Sequence, residues 1–327
     1  MSLMSGLLCV GVMGGLAALW RGGDWVVTYA ILVAQRYQVS TFFLGFIVLA
    51  LAADIPELAI TISSALAGAS EIAVGDIIGG NFSDVTMVVG SALLIAGSKI
   101  RMSASDNRKL LSILLLTSLI LLALLFIGSV SAALGVVLIG LYIGAIFYFW
   151  KCKDMRDLLH GDDVVHEVDA QHERALATEP TWQLLAKLGA SLAFVMGASH
   201  LTVHCAVGLA TALNASPETI GATILGVGTT LPELALCFGA IRRGDFGLAI
   251  GPTLGTVLGQ TTLILGLLAV LSKKPVQLAG LQWACMFMFL AFGILACGLM
   301  RRRPMGRGTG AALVSLFFAY LAYQVVL

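Results

Sequence analysis

Charged residues are scarce in this sequence: they occupy 11% of the 327 positions, while apolar residues occupy 59%. Ordinary soluble domains contain about 25% charged and about 45–50% apolar residues, so this composition excludes a water-soluble globular fold. Uncharged stretches such as 110–127, 132–150 and 276–300 have close to the ~20 residues that a helix needs to cross a bilayer. They lack the two-residue alternation of a transmembrane β-barrel. We therefore expect an all-α, polytopic membrane protein.

Several other protein classes lack support in the sequence. The six cysteines are scattered and form no C-x-x-C pair or zinc-ligand spacing. Nothing in the charge pattern suggests nucleic-acid binding. The apolar N-terminal segment has no basic residues before it, so we expect a retained helix rather than a cleaved signal peptide. We also expect neither enzymatic activity nor a resident cofactor.

Hydropathy predicts ten membrane-spanning helices. Their expected ranges are 6–34, 41–67, 73–97, 109–127, 131–150, 182–211, 216–240, 247–271, 277–299 and 308–326. With the N-terminus outside, fifteen of the nineteen lysines and arginines fall on one side of the membrane, and only Lys273 and Lys274 fall in loops on the other. The positive-inside rule makes the basic side cytoplasmic, so we expect both termini to face out of a plasma or inner membrane.

The chain contains an internal repeat. A shift of 176 positions places Pro56-Glu57-Leu58-Ala59 on Pro232-Glu233-Leu234-Ala235, and Gly79 on Gly255. We divide the chain into a first five-helix repeat (1–150), a hydrophilic cytoplasmic linker (151–181) and a second five-helix repeat (182–327). Because five is odd, the second repeat must enter the membrane from the opposite side. This is the inverted-repeat architecture of secondary transporters, whose binding site forms at the midplane between the repeats.

Glu57 and Glu233 lie in the middle of the second and seventh expected helices, each directly after a proline. A carboxylate near the bilayer centre costs a few kcal/mol and normally faces an ion, water or a partner group. Pro56 and Pro232 lack an N–H and interrupt the helix, which leaves backbone carbonyls beside the carboxylates. Such hard oxygen ligands suit Ca²⁺ and Na⁺. We predict a cation site; for either acid alone, the alternative is a proline kink beside a structural buried acid.

The helix after each proline motif carries a second polar cluster. The run "VGDIIGGNFSD" ends in Asp84, and its repeat counterpart "IGPTLGTVLGQ" ends in Gln260. Glycines let helices approach closely, and Gly80 and Asp84 lie one turn apart on one helix face, so Asp84 is expected to point toward Glu57. We take Asp84 and Gln260 as candidate site residues. Asp76 and Asn81 are weaker candidates, since either could cap or kink the helix.

The proline motifs "LALAADIPELA" and "GVGTTLPELAL", with their glycine-rich runs, resemble the two α-repeats of the cation/calcium antiporter superfamily, especially its prokaryotic sodium/calcium exchanger branch. The resemblance covers nearly the whole chain. It implies a ten-helix exchanger of Ca²⁺ for Na⁺ in which Glu57 and Glu233 are the central Ca²⁺ ligands. It also implies that the site is completed by Asp84 and Gln260 as flanking groups, oxygens of Thr229 and Thr230, the backbone of Ala50 and Gly226 for Na⁺, and Thr256 where the family usually has serine.

The sequence departs from the family pattern before the first proline. The family usually has G-[ST]-[ST] before each P-E pair, whereas the first repeat here has Ala52-Ala53-Asp54. Two hydroxyl positions are lost and a carboxylate is gained, so Asp54 joins Glu57, Asp84 and Glu233 as an acid expected to face the cavity. Clustered buried carboxylates favour proton binding. A proton-coupled exchanger of Ca²⁺ or another divalent cation is therefore the alternative function.

Other features leave room for different interpretations. His200 and His204, one turn apart in the sixth expected helix, could line a cation path or form hydrogen bonds on an interior helix face. The three histidines of the 151–181 linker match no compact metal-ligand spacing, so we interpret the linker as solvated. A passive cation channel could use the same acids as an exchanger. The lipid bilayer and the transported cations are the expected partners, and the sequence leaves the oligomeric state open.

Overall fold

The computed structural model describes residues 3–37, 44–68, 70–97, 104–151, 179–212, 230–278, 282–300 and 306–326. The first half of the chain contains α1 (Leu3–Tyr37), π-helix π1 (Gly45–Leu49), α2 (Ala50–Ala53), α3 (Ile55–Ala67), α4 (Ser70–Ser83), π-helix π2 (Asp84–Val89), α5 (Gly90–Ala96), α6 (Ala104–Ile127), strand β1 (Ser129–Val130) and α7 (Ala132–Lys151). The second half contains α8 (Thr181–Ala212), α9 (Leu231–Arg242), α10 (Phe246–Gly259), π-helix π3 (Gln260–Ile264), α11 (Leu265–Leu271), strand β2 (Val276–Gln277), α12 (Gln282–Met300) and α13 (Arg307–Val326).

The described helices have the length and apolar composition of membrane spans. Six helical stretches qualify: Gly6–Tyr37, Ala73–Ala96, Leu110–Ile127, Thr181–Thr202, Leu248–Leu271 and Trp283–Met300. The stretches Ala73–Ala96 and Leu248–Leu271 are buried over 72% and 78% of their most apolar window, against 22–39% for the other four. The third helices of the two repeats therefore form the centre of the bundle, and the remaining helices surround them.

The fold class predicted from composition is confirmed: the protein is a helical, multi-pass membrane protein. The described helices coincide with the expected spans. Residues 216–229 of the seventh expected span lie outside the described residues, so the count of ten helices stays a prediction. The second expected helix is interrupted at Asp54, next to the proline that was expected to break it. The third and eighth expected helices are continuous, and each contains a π-helical stretch that the sequence did not predict.

The helix that carries Glu57 breaks at Asp54, two residues before the proline. Asp54 adopts φ −76° and ψ 1° between α2 and α3. Thr230, which is 176 positions later, adopts φ −90° and ψ 0° immediately before α9. Proline is well tolerated in the first turn of a helix, where its missing N–H would have had no partner anyway. Pro56 and Pro232 therefore lie at the start of new half-helices rather than at the breaks themselves.

The π-helices π2 and π3 also lie at equivalent positions of the two repeats. Within them, the hydroxyls of Thr86 and Thr262 donate to the carbonyls of Phe82 and Leu258, at 2.6 and 2.5 Å. Side-chain bonds of this kind to the preceding turn bend helices, and single π-helical turns are frequent at functional sites. The third helices of the two repeats therefore share the same local irregularity, a π-helical stretch at the same position.

Glycine contacts join each repeat to the other. A Cβ atom on Gly310 of α13 would lie 2.7 Å from the Gly90 carbonyl oxygen of α5, and one on Gly135 of α7 would lie 2.6 Å from the Gly266 carbonyl oxygen of α11. Gly90 and Gly266 are 176 positions apart, so the two crossings are equivalent. Only glycine permits this backbone contact, which interlocks the two repeats around the central helices.

The first helices of the two repeats, α1 and α8, pack lengthwise against each other. They are antiparallel: Gly11 and Gly15 of α1 lie against Cys205 and Thr202 of α8. At the other end of the pair, Arg36 donates to the Thr181 hydroxyl at 3.3 Å. The start of α8 and the end of α1 therefore share one end of the bundle.

Candidate cation-binding site

Glu57 and Glu233 occupy the same position in two half-helices. Each is the third residue of its helix, α3 or α9, and they are only 5% and 3% exposed. The first N–H groups of a helix have no partner within the helix, and each glutamate carboxylate faces its own backbone N–H. The positive end of the helix dipole also stabilises an anion at this position. The two helix breaks therefore hold a pair of carboxylates inside the apolar bundle.

Asp84 and Gln260 are brought to the same region by the third helices. They are the first residues of π2 and π3, and each is 2% exposed. Asp84 interacts electrostatically with Glu233 most strongly, and less strongly with Asp54 and Glu57. The sequence suggested an approach to Glu57. The preference for Glu233 arises because π2 packs against α9, which belongs to the other repeat.

Asp54 reaches across the bundle to the second repeat. Its side chain is 1% exposed, and its Oδ1 accepts a hydrogen bond from Gln260 Nε2 at 3.0 Å. Thr256 lies beside the same carboxylate. A Cβ atom on Gly259 would lie 3.4 Å from Asp54 Oδ2, so the glycine leaves room for this approach. The Asp54 carboxylate is thus bound by Gln260, the repeat counterpart of Asp84.

Tyr142 joins this corner of the site from α7. Its side chain is 4% exposed, it interacts electrostatically with Asp54, and its hydroxyl would lie 3.9 Å from a Cβ on Gly259. Sequence reasoning missed Tyr142 because it lies outside both proline motifs. This helix contains two phenols, Tyr142 and Tyr148, and the sequence does not show which of them faces the site.

Of the four residues expected to help bind Na⁺, the structure describes Thr230 and Ala50. Thr230 is buried, and its carbonyl accepts from the Leu234 N–H at 3.0 Å. The Ala50 carbonyl accepts from the Asp54 N–H at 3.0 Å, which leaves its second lone pair for another donor or an ion. Thr229 and Gly226 lie outside the described residues.

Asp76 and Asn81, the weaker candidates, lie next to the cluster. Asp76 is half-buried and acts electrostatically on Glu57 and Asp84. Asn81 Nδ2 donates to Thr261 Oγ1 at 3.2 Å, so this amide joins the third helices of the two repeats. Neither residue begins or ends a helix, so the suggestion that they cap one is wrong.

Six side-chain oxygens of these residues are buried and have no hydrogen-bond partner among the described residues: Glu57 Oε2, Asn81 Oδ1, Asp84 Oδ1, Glu233 Oε2, Thr256 Oγ1 and Gln260 Oε1. Leaving a buried polar atom unpaired costs about 1–3 kcal/mol. Both amides turn their NH₂ groups to other partners and leave their oxygens unpaired. Within the described part of the chain, no basic side chain acts on the four carboxylates. The cluster is thus a set of buried carboxylate, amide and hydroxyl oxygens, several of which have no donor among the described residues.

His200 and His204 do not face this cluster. Both side chains are exposed on the outer surface of α8. The expectation that they lie on an interior helix face or line a path through the bundle is therefore wrong. Hydropathy alone does not show which side of a helix packs against its neighbours.

Comparisons with known proteins agree along the whole chain. The family model described as sodium/calcium exchanger protein matches residues 7–151 and 184–326. The inner membrane protein YrbG of Escherichia coli (strain K12) is 26% identical over 98% of this chain and 97% of its own length. The sodium/calcium exchanger MaX1 of Methanosarcina acetivorans is 27% identical over 94% of this chain and 95% of its own. A solved structure of the sodium-calcium exchanger NCX_Mj has the same fold, with a TM-score of 0.77 at 22% identity and coverage of 98% of this chain and 99% of the other.

Proposed function

Because the chain belongs to the sodium/calcium exchanger protein family, we propose that it is a secondary active antiporter that exchanges Ca²⁺ for Na⁺ by alternating access. The observation that carries the proposal is the set of buried oxygens without partners that both repeats direct into one anionic cluster. Ca²⁺ takes six to eight oxygen ligands, carboxylates and amide carbonyls among them. Na⁺ is a hard cation that suits the same ligands.

The cluster contains four buried carboxyl groups and no described basic side chain, which favours a bound cation as their partner. Asp54, Glu57, Asp84 and Glu233 are each at most 5% exposed. Burying an unpaired charge is costly, so buried charges are normally paired or coordinate a metal. Ca²⁺, or several Na⁺ ions, would supply the positive charge that no described side chain provides. Exchange then follows from competition of the two ions for the same carboxylates.

We assign Glu57, Glu233 and Asp84 as the Ca²⁺ ligands, since each has a buried carboxylate oxygen with no partner. Gln260 and Thr256 contribute an unpaired amide and hydroxyl oxygen. Asp54 completes the wall of the site through its bond to Gln260. Thr230, Thr229 and the backbone of Ala50 and Gly226 are further candidates for Na⁺, by analogy with the family. Pro56 and Pro232 start the half-helices that hold the two glutamates.

The inverted repeats suggest how the site becomes accessible from each side in turn. Equivalent helix breaks in the two repeats have opposite orientations in the membrane, so exchanging their conformations would open the site to the opposite side. We propose an integral membrane location with both termini outside and the 151–181 linker in the cytoplasm, which the distribution of basic residues supports. Two unneutralised glutamates would oppose movement of the empty site and so couple the two fluxes.

Ca²⁺ flux in proteoliposomes tests the proposal. With Na⁺ inside and ⁴⁵Ca²⁺ outside, the wild-type protein should take up Ca²⁺ only while the Na⁺ gradient persists. Glu57→Gln and Glu233→Gln keep the side-chain shape and remove one charged ligand. Each should reduce flux by at least about tenfold, the effect of losing ~1.4 kcal/mol of binding.

The matched control is Glu179→Gln, because Glu179 pairs with Lys187 at 2.7 Å beside the start of α8, away from the cluster. It should transport normally, and all variants should insert and melt like the wild type. Near wild-type flux in either Glu57→Gln or Glu233→Gln would overturn the site assignment. Ca²⁺ flux without any counter-ion would indicate a channel, and flux driven only by a pH gradient would indicate a proton-coupled exchanger, which the family match does not favour.

A further inference from the structure

A groove lies between α6 and α7 on the outer surface of the bundle. These helices are consecutive in the chain, yet over the described residues they pack mainly on other elements: α7 on α11 and π3, and α6 on α12 and α10. The groove between them has a volume of about 410 Å³. Leu258 and Thr262 of the second repeat form its floor, and Gly140 and Gly144 of α7 leave one wall without side chains.

The groove opens toward the hydrocarbon of the membrane. It follows the apolar stretches Leu110–Ile127 of α6 and Ala132–Tyr148 of α7. Leu116 and Leu141, which line it, are 39% and 46% exposed on the surface of the bundle. An unfilled gap at this depth would cost the lining side chains their dispersion contacts. Acyl chains surround the helices there, so one of them is the occupant that the membrane supplies.

One end of the groove carries hydroxyl groups and lies next to basic residues. The short connection 128–131 makes α6 and α7 antiparallel, so Ser112 near the start of α6 and Tyr148 near the end of α7 share this end, and both are exposed. Arg108 and Lys109 directly precede the apolar stretch of α6, and Lys151 ends α7. Residues 98–109 and 151–157 contain ten charged residues, so both helices leave the hydrocarbon at this end.

We propose that the groove binds one anionic phospholipid, with an acyl chain between α6 and α7 and the phosphate at the basic end. Residues 98–110 contain four basic residues and one acid, Asp106. Each basic residue near a membrane surface strengthens the binding of anionic lipid by a factor of about five. With the proposed topology, this lipid belongs to the cytoplasmic leaflet. Its binding is independent of ion exchange.

A helix from a second copy of the chain is a poorer fit to the groove. Gly140 and Gly144 have the spacing of glycines that join transmembrane helices. The groove follows about two turns of each helix, or roughly 12 Å, so 410 Å³ corresponds to a mean cross-section of about 34 Å². This is less than half the cross-section of a helix about 10 Å wide. The dimensions favour a single hydrocarbon chain.

Native mass spectrometry of the full-length protein in mild detergent tests the inference. The protein is titrated with phosphatidylglycerol or with phosphatidylcholine of the same chain length, in the absence of Ca²⁺ and Na⁺. One phosphatidylglycerol should bind per chain, at least about tenfold more tightly than phosphatidylcholine. Equal affinity for the two lipids would overturn the proposal, and so would a dimer that excludes lipid from the groove.

Substitutions locate the bound lipid. Gly144→Leu fills the groove, and a Cβ atom there meets no described atom within 4 Å, so the variant should melt like the wild type but lose the tightly bound phosphatidylglycerol. Gly293→Leu is the matched control, because Gly293 of α12 is equally open and exposed but lies outside the groove. It should bind like the wild type.

A charge variant tests the basic end separately. Lys109→Gln combined with Lys151→Gln should weaken phosphatidylglycerol binding by roughly 25-fold and leave phosphatidylcholine binding unchanged. Unchanged phosphatidylglycerol binding in this variant or in Gly144→Leu would show that the lipid lies elsewhere, and would overturn the assignment of the groove.

Discussion

A hydrogen bond 3.0 Å long runs from Gln260 Nε2 to Asp54 Oδ1 and joins residues 206 positions apart. It links the helix break at Asp54 in the first repeat to π3 in the second. Replacing Gln260 by methionine keeps the length of the side chain and removes the donor. Leaving a buried acceptor without its donor costs about 1–3 kcal/mol, and Asp54 is buried too deeply for water to replace the lost donor readily. Gln260→Met should therefore destabilise the protein by about this amount.

A double-mutant cycle isolates the bond itself. Asp54→Thr restores the hydroxyl residue usual in the family and removes the carboxylate, so in this background Gln260→Met has no bond to a carboxylate left to break. The coupling between the two changes should equal about 1–3 kcal/mol. At about 2–4 °C per kcal/mol, the melting temperatures of the single and double variants should depart from additivity by roughly 2–12 °C.

Melting of the four proteins in nanodiscs without added Ca²⁺ gives the measurement, and the absence of Ca²⁺ keeps ion binding out of the comparison. Thr117→Val provides a matched control, since the Thr117 hydroxyl is buried but bonds to the Ile113 carbonyl within α6. Thr117→Val combined with Gln260→Met should be additive. Additive effects of Asp54→Thr and Gln260→Met would refute the claim that this bond couples the repeats.

Three further predictions follow from single features of the structure. Thr256→Val removes a buried hydroxyl that lies beside the Asp54 carboxylate, so it should weaken Ca²⁺ or Na⁺ binding measured by calorimetry more than it lowers the melting temperature; loss of stability with unchanged ion binding would contradict a ligand role. Gly135→Ala should cost about 1–3 kcal/mol through overpacking at the contact with Gly266, whereas a Cβ atom on Gly140 of the same helix meets no atom within 4 Å, so Gly140→Ala should melt like the wild type. A reporter fused after residue 327 should lie outside the cytoplasm and one inserted in 151–181 inside it; finding both on one side would end the inverted five-plus-five arrangement.

Much of the fold could be predicted from the sequence because membrane insertion depends on simple local properties. A helix needs about 20 apolar residues to cross the bilayer, so the apolar stretches 110–127 and 276–300 are visible from hydropathy alone. The duplicated Pro-Glu motif is visible because both repeats keep one offset of 176 residues. From the same offset, Glu57 and Glu233 could be expected to meet at the centre.

The details of the cluster could not be predicted, because they depend on how helices cross and rotate. The sequence did not reveal the hydrogen bond between Asp54 and Gln260. It also did not reveal that the electrostatic interaction of Asp84 is stronger with Glu233 than with Glu57, or that Tyr142 lies near Asp54. Each of these contacts spans the two repeats or reaches α7, far away along the chain. The π-helical turns at Asp84 and Gln260 change the direction of the side chains that follow, and no periodic pattern in the sequence marks them.

The sequence by itself determined that this protein is a helical membrane protein with two related halves and paired acids in apolar surroundings, since composition, hydropathy and repetition are properties of the chain alone. Only the tertiary structure decided which polar groups are left without partners at the centre, and that His200 and His204 point outward. Partnering and exposure depend on the neighbours that each helix face meets after packing. Those neighbours come from distant parts of the chain, so no local pattern can specify them.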